Sequence, residues 1–163
     1  MMNKYFLLII LVVICCNNNK PEKLWNEAKL MRSDNRMREC IINLESIIIN
    51  YPKHDLASKS QFQKAEIYLN DIKDYDIAIK EFEKVINQFP NHNVAKKSLF
   101  MLAYIYNNYL NSYSKAIEIY NLFILKYPDD ELIPSVKYEL EGLIEIGTII
   151  DSLNTIVKQK ENI

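Results

Sequence analysis

Apolar residues recur at helical spacing in three consecutive segments of the chain, and each segment ends in an aromatic–proline pair. In the middle segment, Tyr75, Phe82, Val85 and Ile86 surround the small residue Ala78. Offsets of three, four and seven residues place these side chains on one stripe of an amphipathic helix. Equivalent residues occur 38 positions earlier and later. The pattern predicts one such helix per segment, ended by a proline that cannot continue it.

The aromatic–proline pairs mark an internal repeat, because Pro52, Pro90 and Pro128 follow one another at a constant step of 38 positions. A period between about 20 and 50 residues is typical of a stacked array of supersecondary units. A second helical pattern follows each proline, with an aromatic residue ten positions after it: Phe62, Phe100 and Tyr138. Each repeat is therefore predicted to be a helix–turn–helix unit.

The repeats divide the chain into predicted segments. The first unit covers 22–52, the second 56–90 and the third 94–128, and a capping helix at 132–146 covers the open end, so the repeat domain is 22–146. Residues 147–163 are predicted to be a helical extension that folds back after a break at Gly147. We expect an all-α protein without a sheet, whose units stack in a right-handed superhelix.

The loops that follow the prolines carry polar residues in a common register. Asp55, Asn93 and Asp129 are suited to cap the next helix by accepting its free N–H groups. His54 and His92 occupy one equivalent position, and the third unit has Asp130 there. A metal pair at the two histidines is conceivable, but exposed polar loop residues are the simpler interpretation, and no metal site is predicted.

The N-terminus has a different pattern. One early lysine precedes an unbroken apolar run that extends from Tyr5 to Cys16. This run is too short for a membrane-spanning helix, which needs about 20 residues, and it suits a secretory signal peptide, whose apolar region has about 7–15. Residues 1–15 are therefore predicted to be a signal peptide and 16–21 a linker. The alternative is an uncleaved hydrophobic anchor.

The end of this apolar run, "VICCNNNK", resembles the lipobox of bacterial lipoproteins, in which a cysteine is lipidated after cleavage just before it. Cys16 is preferred as the lipid acceptor, because Cys15 then supplies a small residue before the cut. With Cys15 as acceptor, the bulky Ile14 would stand there. The resemblance implies a protein anchored by lipid in the cell envelope, on the periplasmic face of the outer membrane.

Composition and charge narrow the chemistry. The chain has 20 basic and 21 acidic residues, and this near-neutral balance gives no electrostatic footprint for nucleic acid. No metalloprotease, P-loop or nucleophile-elbow motif is present. Cys40 replaces the alanine of the later units and is expected to be structural. We predict no enzymatic activity, no cofactor, no metal and no small-molecule substrate.

The small residues, the aromatic positions and the terminal prolines resemble those of the tetratricopeptide repeat. Two spacings, Ala65 to Ala78 and Ala103 to Ala116, are one residue longer than in the basic repeat. Lengthened units with "YP" or "FP" ends are similar to those of the bacterial envelope families BamD, a lipoprotein of outer-membrane barrel assembly, and CpoB (YbgF). CpoB-like proteins carry a trimerising coiled coil, for which there is no room before Trp25.

The resemblance implies a non-catalytic, lipid-anchored interaction scaffold that binds envelope proteins or peptides, as BamD does in outer-membrane protein assembly. The alternatives are a CpoB-like coordinator of cell-wall machinery and an accessory subunit of an envelope enzyme. In such arrays the first helices line a concave face that binds partners. Carried over from the family, the partner-binding groove is expected to contain Trp25, Phe62, Glu66, Asn70, Phe100, Tyr104 and Asn108.

Overall fold

A computed structural model describes residues 20–161 of the 163-residue chain, and these residues are helical with short turns. The predicted all-helical fold is confirmed, and no strand occurs in the described range. The predicted signal peptide, with Cys15 and Cys16, lies outside it. The helices are α1 (Lys20–Ser33), α2 (Met37–Asn50), α3 (Asp55–Glu66), α4 (Tyr75–Gln88), α5 (Asn93–Asn108), α6 (Tyr113–Lys126) and α7 (Ile133–Glu161), with a π-helical segment at Ile67–Ile72.

The chain forms two compact units, one up to Ala95 and one from Lys96 onward. In the N-terminal unit, α1 packs on α2, α2 on α3, and α3 on α4. In the C-terminal unit, α6 packs on α7. The small residues predicted at the helix contacts are fully buried: Ala28, Cys40, Ala65, Ala78, Ala103 and Ala116. Within residues 20–161, no helix combines the length and the apolar character needed to cross a bilayer.

The second helix of each of the three repeats ends where the sequence predicts. The helices α2, α4 and α6 end just before Tyr51, Phe89 and Tyr127. These three aromatic residues share one backbone conformation, with φ between −135° and −128° and ψ between 47° and 59°. A proline follows each of them and excludes helical angles there. The ring of Tyr127 packs edge-on against Phe123, with ring centroids 5.3 Å apart.

A tight turn with a proline at its second position follows each of these aromatic residues. The N–H of His54 donates to the carbonyl of Tyr51 at 2.9 Å, and the same bond recurs in the two later loops, at 3.0 and 3.2 Å. The predicted caps Asp55 and Asp129 are wrong by one residue. Nδ1 of His54 accepts the N–H of Leu56 at 3.2 Å, whereas Asp55 is already the first residue of α3.

The third loop uses the equivalent residue for the same purpose. Oδ1 of Asp130 accepts the N–H of Leu132 at 3.0 Å. The caps are shifted because of the proline turn. Its last residue is 54, 92 or 130, so the chain can begin the next helix directly after that residue. In the first two loops the helix starts at once, so Asn93 is the first residue of α5 and not a cap.

The turn inside each helix pair contains a residue with left-handed backbone angles. These residues are again 38 positions apart: Asn35 (φ 59°), Lys73 (φ 62°) and Asn111 (φ 50°). The extra residue predicted before Lys73 is taken up by the π-helical segment, where the N–H of Asp74 reaches back to the carbonyl of Tyr68 at 2.9 Å. The N–H of Ser112 reaches Tyr106 in the same way at 2.8 Å.

The predicted break at Gly147 is wrong, because α7 runs through it as one helix of 29 residues. A glycine inside a helix costs only about 1 kcal/mol relative to alanine, which does not by itself end a helix. In the earlier repeats the chain turns at the residue with left-handed backbone angles. The equivalent position in this last segment, 38 residues after Asn111, is occupied by Ile149. A β-branched residue strongly disfavours positive φ, so the helix continues.

Candidate interaction surfaces

Four of the predicted groove residues belong to the N-terminal unit. Trp25 is half-buried and packs against the core cluster of Ala28, Cys40, Leu44 and Ile67. Phe62 is half-buried and meets Phe82 edge-to-face, with centroids 5.5 Å apart. The other two predicted residues are Glu66, which is half-buried, and Asn70, which is exposed. Both aromatic residues therefore contribute to packing within the unit.

The remaining three belong to the C-terminal unit and lie on α5. Phe100 stacks on Tyr104 at 6.4 Å and also contacts Tyr120 at 5.9 Å. Tyr104 in turn meets Tyr109 edge-to-face at 6.0 Å. Asn108 is exposed, and its side chain donates to the carbonyl of Tyr104 at 3.1 Å. The structure thus brings these three residues together as one aromatic strip with a polar end.

A buried polar network in the N-terminal unit was not predicted from the sequence. Lys64 and Glu81 are only 8% and 5% exposed. Nζ of Lys64 lies 2.7 Å from Oε1 of Glu45 and 3.3 Å from Oε2 of Glu81. Glu81 also accepts a hydrogen bond from Nε2 of the buried Gln61 at 2.6 Å and pairs with Lys84 at 2.8 Å. The network joins α2, α3 and α4.

The charges in this network hold each other in the ionised state. Burial acts to lower the pKa of Lys64, but the hydrogen bond to Glu45 and the negative charges of Glu81 and Glu45 raise it above its ordinary value. Burial likewise acts to raise the pKa of Glu81, yet hydrogen bonds from Lys84 and Gln61 and the nearby lysine charges lower it. Because each charge pairs with an opposite one, both Lys64 and Glu81 are held in their ionised forms.

The two loop histidines are occupied by contacts within the N-terminal unit. Nε2 of His54 lies 3.2 Å from Oε1 of Glu22, and its other ring nitrogen caps α3. Nδ1 of His92 lies 3.1 Å from Oγ of Ser58, at the start of the same helix. In residues 20–161, no group of three or more histidine, cysteine or acidic side chains is placed to hold a metal ion.

The thiol of Cys40 is fully buried between helices and is not bonded to another cysteine. Burial raises the pKa of this thiol above its ordinary value, while the positive charge of Arg32 acts weakly to lower it and the negative charge of Asp71 acts weakly to raise it. A thiol with a raised pKa is poor as a nucleophile or metal ligand, because both roles need the thiolate. The environment of Cys40 agrees with the structural role expected from its position in the repeat.

An open groove in the C-terminal unit was also not predicted. It lies between the end of α5 and one face of α7 and has a volume of about 390 Å³. Asn107 and Asn108 line one side, and the side formed by α7 contains Tyr138, Glu139, Glu141, Gly142, Leu143, Glu145 and Ile146. The sequence contained one signal for it, since Glu141 stands where the earlier units have Ala65 and Ala103.

The polar side of this groove is acidic. Oε2 of Glu139 accepts a hydrogen bond from Nδ2 of Asn107 at 2.9 Å, which ties α5 to α7. Glu141 and Glu145 are exposed. Burial raises the pKa of the nearby Tyr120 phenol, and the negative charge of Glu139 adds to this effect. The groove therefore combines apolar side chains with a rim of fixed negative charge.

The sequence model of the family described as soluble NSF attachment protein, SNAP, matches residues 5–139. No curated protein matches the sequence. This family is built from tetratricopeptide-like helical repeats and consists of non-catalytic adaptors, in agreement with the helical repeats and the predicted role in protein interaction. The matched range covers most of the 163 residues, and the chain therefore belongs to the soluble NSF attachment protein family.

Proposed function

We propose that this protein is a lipid-anchored adaptor of the bacterial envelope, which holds partner proteins near a membrane through its helical repeats. The single observation that carries the adaptor role is membership of a non-catalytic family of helical repeat proteins. The anchor is supported by the apolar run from Tyr5 to Cys16, which is too short to span a bilayer and ends in cysteine. Localisation to the outer membrane and a BamD-like role in barrel assembly are the finer parts of this proposal.

The partner-binding residues are proposed to be those on the first helices of the repeats. Asn70 and Asn108 offer exposed amides, and Tyr104 offers a half-buried ring beside Asn108. Trp25, Phe62 and Phe100 support these residues through their packing within each unit. Aromatic residues are enriched in protein interfaces, where their rings supply contact area, and a few placed polar groups such as amides fix the orientation of a ligand.

The anchor is tested by metabolic labelling with a fatty-acid analogue. The wild-type chain should be labelled and should partition into the detergent phase, and Cys16→Ala should abolish both. Cys40→Ala is the matched control and should leave the labelling unchanged. Labelling that survives in Cys16→Ala but is lost in Cys15→Ala would move the acceptor by one residue. An intact, unlabelled N-terminus would overturn the lipoprotein proposal.

The adaptor role is tested by capturing the full-length protein from solubilised envelopes and identifying what is retained. Recovery of barrel-assembly proteins supports the BamD-like proposal, whereas recovery of cell-wall enzymes favours a CpoB-like coordinator. Tyr104→Ala combined with Asn108→Ala should lose the partners, and Glu83→Ala, at an exposed site on α4, should keep them. Retention of the same partners by the double variant would show that these residues do not bind them.

A further inference from the structure

The groove beside α7 includes Tyr138, whose equivalents in the two earlier repeats each contact the second helix of their own repeat. In the second repeat, Phe62 on the first helix contacts Phe82 on the second, with centroids 5.5 Å apart. In the third repeat, Phe100 contacts Tyr120 at 5.9 Å. Tyr138 is the next residue in this series, 38 positions after Phe100, and it is 76% exposed.

Within residues 20–161, the lack of a helix that covers this face of α7 follows from the turn residue described above. Because Ile149 disfavours the left-handed conformation, α7 continues as one helix and does not return along itself. The face of α7 that contains Tyr138, Glu141, Gly142 and Glu145 is exposed as a result. At the position of Glu141, Ala65 of α3 and Ala103 of α5 are fully buried, and at the position of Tyr138, Phe62 and Phe100 are half-buried.

We propose that this groove binds one helix of a partner protein, which packs in the place of the missing second helix and carries lysine or arginine on its buried face. The charge of the groove selects this partner. Its lining residues include three carboxylates and no lysine or arginine. Glu141 and Glu145 lie four residues apart on α7, about one helical turn, so two basic residues one turn apart on the partner helix can face them.

The apolar part of the groove sets the second requirement. Leu143 is 2% exposed and Ile146 is 37% exposed, so the groove has an apolar floor with a partly open edge. Apart from its chain neighbours and the backbone of its own helix, Gly142 has no atom within 4 Å of the place where a β-carbon would be, so a partner helix can approach closely there. An aromatic residue on the partner, placed like Phe82, would cover the ring of Tyr138. The partner is therefore an amphipathic helix with one aromatic and two basic residues on its contact face.

The proposal rests on the proposed function only in requiring a protein partner, and its test uses a defined probe. The probe is a fluorescein-labelled peptide with the sequence of α4, Tyr75–Gln88, carrying Tyr75→Lys and Ala78→Lys. In α4, Ala78 lies one turn before Phe82, so a peptide that places Phe82 on Tyr138 brings its lysine at position 78 to Glu141. The lysine at position 75 then reaches Glu145. The control peptide carries Tyr75→Glu and Ala78→Glu.

Fluorescence anisotropy with the full-length protein should show saturable binding of the lysine peptide and at least tenfold weaker binding of the glutamate peptide. Glu141→Lys combined with Glu145→Lys should weaken binding of the lysine peptide at least tenfold and restore binding of the glutamate peptide. Glu83→Lys combined with Glu131→Lys makes the same charge change at exposed sites outside the groove and should leave both affinities unchanged.

Equal binding of the two peptides, or no effect of the Glu141 and Glu145 changes, would overturn the proposal. A second copy of this chain is the other candidate for the groove, and light scattering of the protein alone tests for it by measuring the oligomeric state. A dimer that dissociates in the Glu141→Lys and Glu145→Lys variant would show that a second copy fills the groove, which also overturns it. If the peptide fails to bind while envelope partners are still captured, this inference is wrong and the adaptor role stands.

Discussion

The two compact units bury different kinds of side chain at equivalent positions of successive repeats. The N-terminal unit buries Gln61, Lys64 and Glu81. At the equivalent positions of the next repeat, the C-terminal unit buries three apolar residues: Leu99, Leu102 and Ile119. Helix packing is thus satisfied at the same sites by an ionic network in one repeat and by aliphatic side chains in the next.

The two sets of side chains show which property of these buried positions the fold requires and which belongs to one repeat alone. A buried ion pair loses hydration that its mutual attraction only partly returns, so aliphatic residues of similar volume are often as stabilising. The aliphatic set of the C-terminal unit shows that the fold does not need charges at these positions. The network in the N-terminal unit should therefore be dispensable as a whole but costly to break in part.

The largest effect is expected from breaking the network at one residue. Glu81→Ile should lower the free energy of unfolding by about 3 kcal/mol, because it removes the carboxylate that Gln61 and Lys84 bind and leaves the buried Lys64 with Glu45 as its remaining carboxylate partner. The triple change Gln61→Leu, Lys64→Leu and Glu81→Ile copies the C-terminal unit and should lie within about 1 kcal/mol of the wild type. Urea unfolding followed by circular dichroism measures both. A triple variant as unstable as the single one would contradict the comparison.

The second effect is the loss of stability of the ionic network at acidic pH. The pKa of Glu81 is lowered in the folded state, so its contribution is present above the unfolded value of about 4.3 and is lost as the pH falls through the folded value. The pKa of Lys64 is raised in the folded state, so its contribution to stability is lost only at alkaline pH, above about 10.4. The wild type should lose stability relative to the triple variant below about pH 4.3. Urea unfolding of both proteins between about pH 7 and 3 tests this, and a constant difference would refute it.

The next effect lies in the turn that is common to both units. Lys73 adopts φ 62°, where the equivalent residues are Asn35 and Asn111. Asparagine tolerates the left-handed region better than lysine, so Lys73→Asn should raise the free energy of unfolding by about 1 kcal/mol. Lys80→Asn, at an exposed helical position, is the control and should be slightly destabilising. Equal effects of the two changes would show that the turn stores no strain.

The last comparison is between two buried serines on α3, one of which gives the smallest expected change. Oγ of Ser60 has no hydrogen-bond partner, so Ser60→Ala should raise stability by about 0.5 kcal/mol through helix propensity and the removal of an unpaired hydroxyl. Oγ of Ser58 donates to the carbonyl of Asp55 at 3.0 Å and faces His92. Ser58→Ala should therefore lower stability by about 1 kcal/mol. Thermal melts of the two variants should shift in opposite directions, and a shift in the same direction would count against these assignments.

Much of the fold was predictable because the repeat constrains it. The apolar stripe, the buried small residues and the aromatic–proline ends each recur in three copies, so single exceptions could not hide the pattern. The predicted caps failed because a residue type alone does not say whether Asp55 or its neighbour His54 precedes the helix. The predicted break at Gly147 is wrong because a glycine alone does not end a helix, whereas Ile149, at the position of the left-handed turn residues, favours continuation of the helix.

The candidate sites were less predictable, since they depend on contacts between helices. The half-burial of Trp25 and Phe62 depends on the residues that face them, which one sequence does not reveal. The network of Lys64 and Glu81 looks like an ordinary charged surface, because the two residues are far apart along the chain and meet only when α3 and α4 pack. The groove at α7 was detectable only through Glu141, the one residue that departs from the small-residue pattern.

The repeated proline turn also makes the chain suitable for lengthening by design. The same backbone hydrogen bond closes at residues 54, 92 and 130, so a copy of residues 55–92 inserted after His92 joins two junctions of equivalent geometry. Each insertion would add a complete helix pair without new linker sequence. Since α7 and its open groove remain at the end, a series of such proteins would carry one terminal binding site on frames of increasing length.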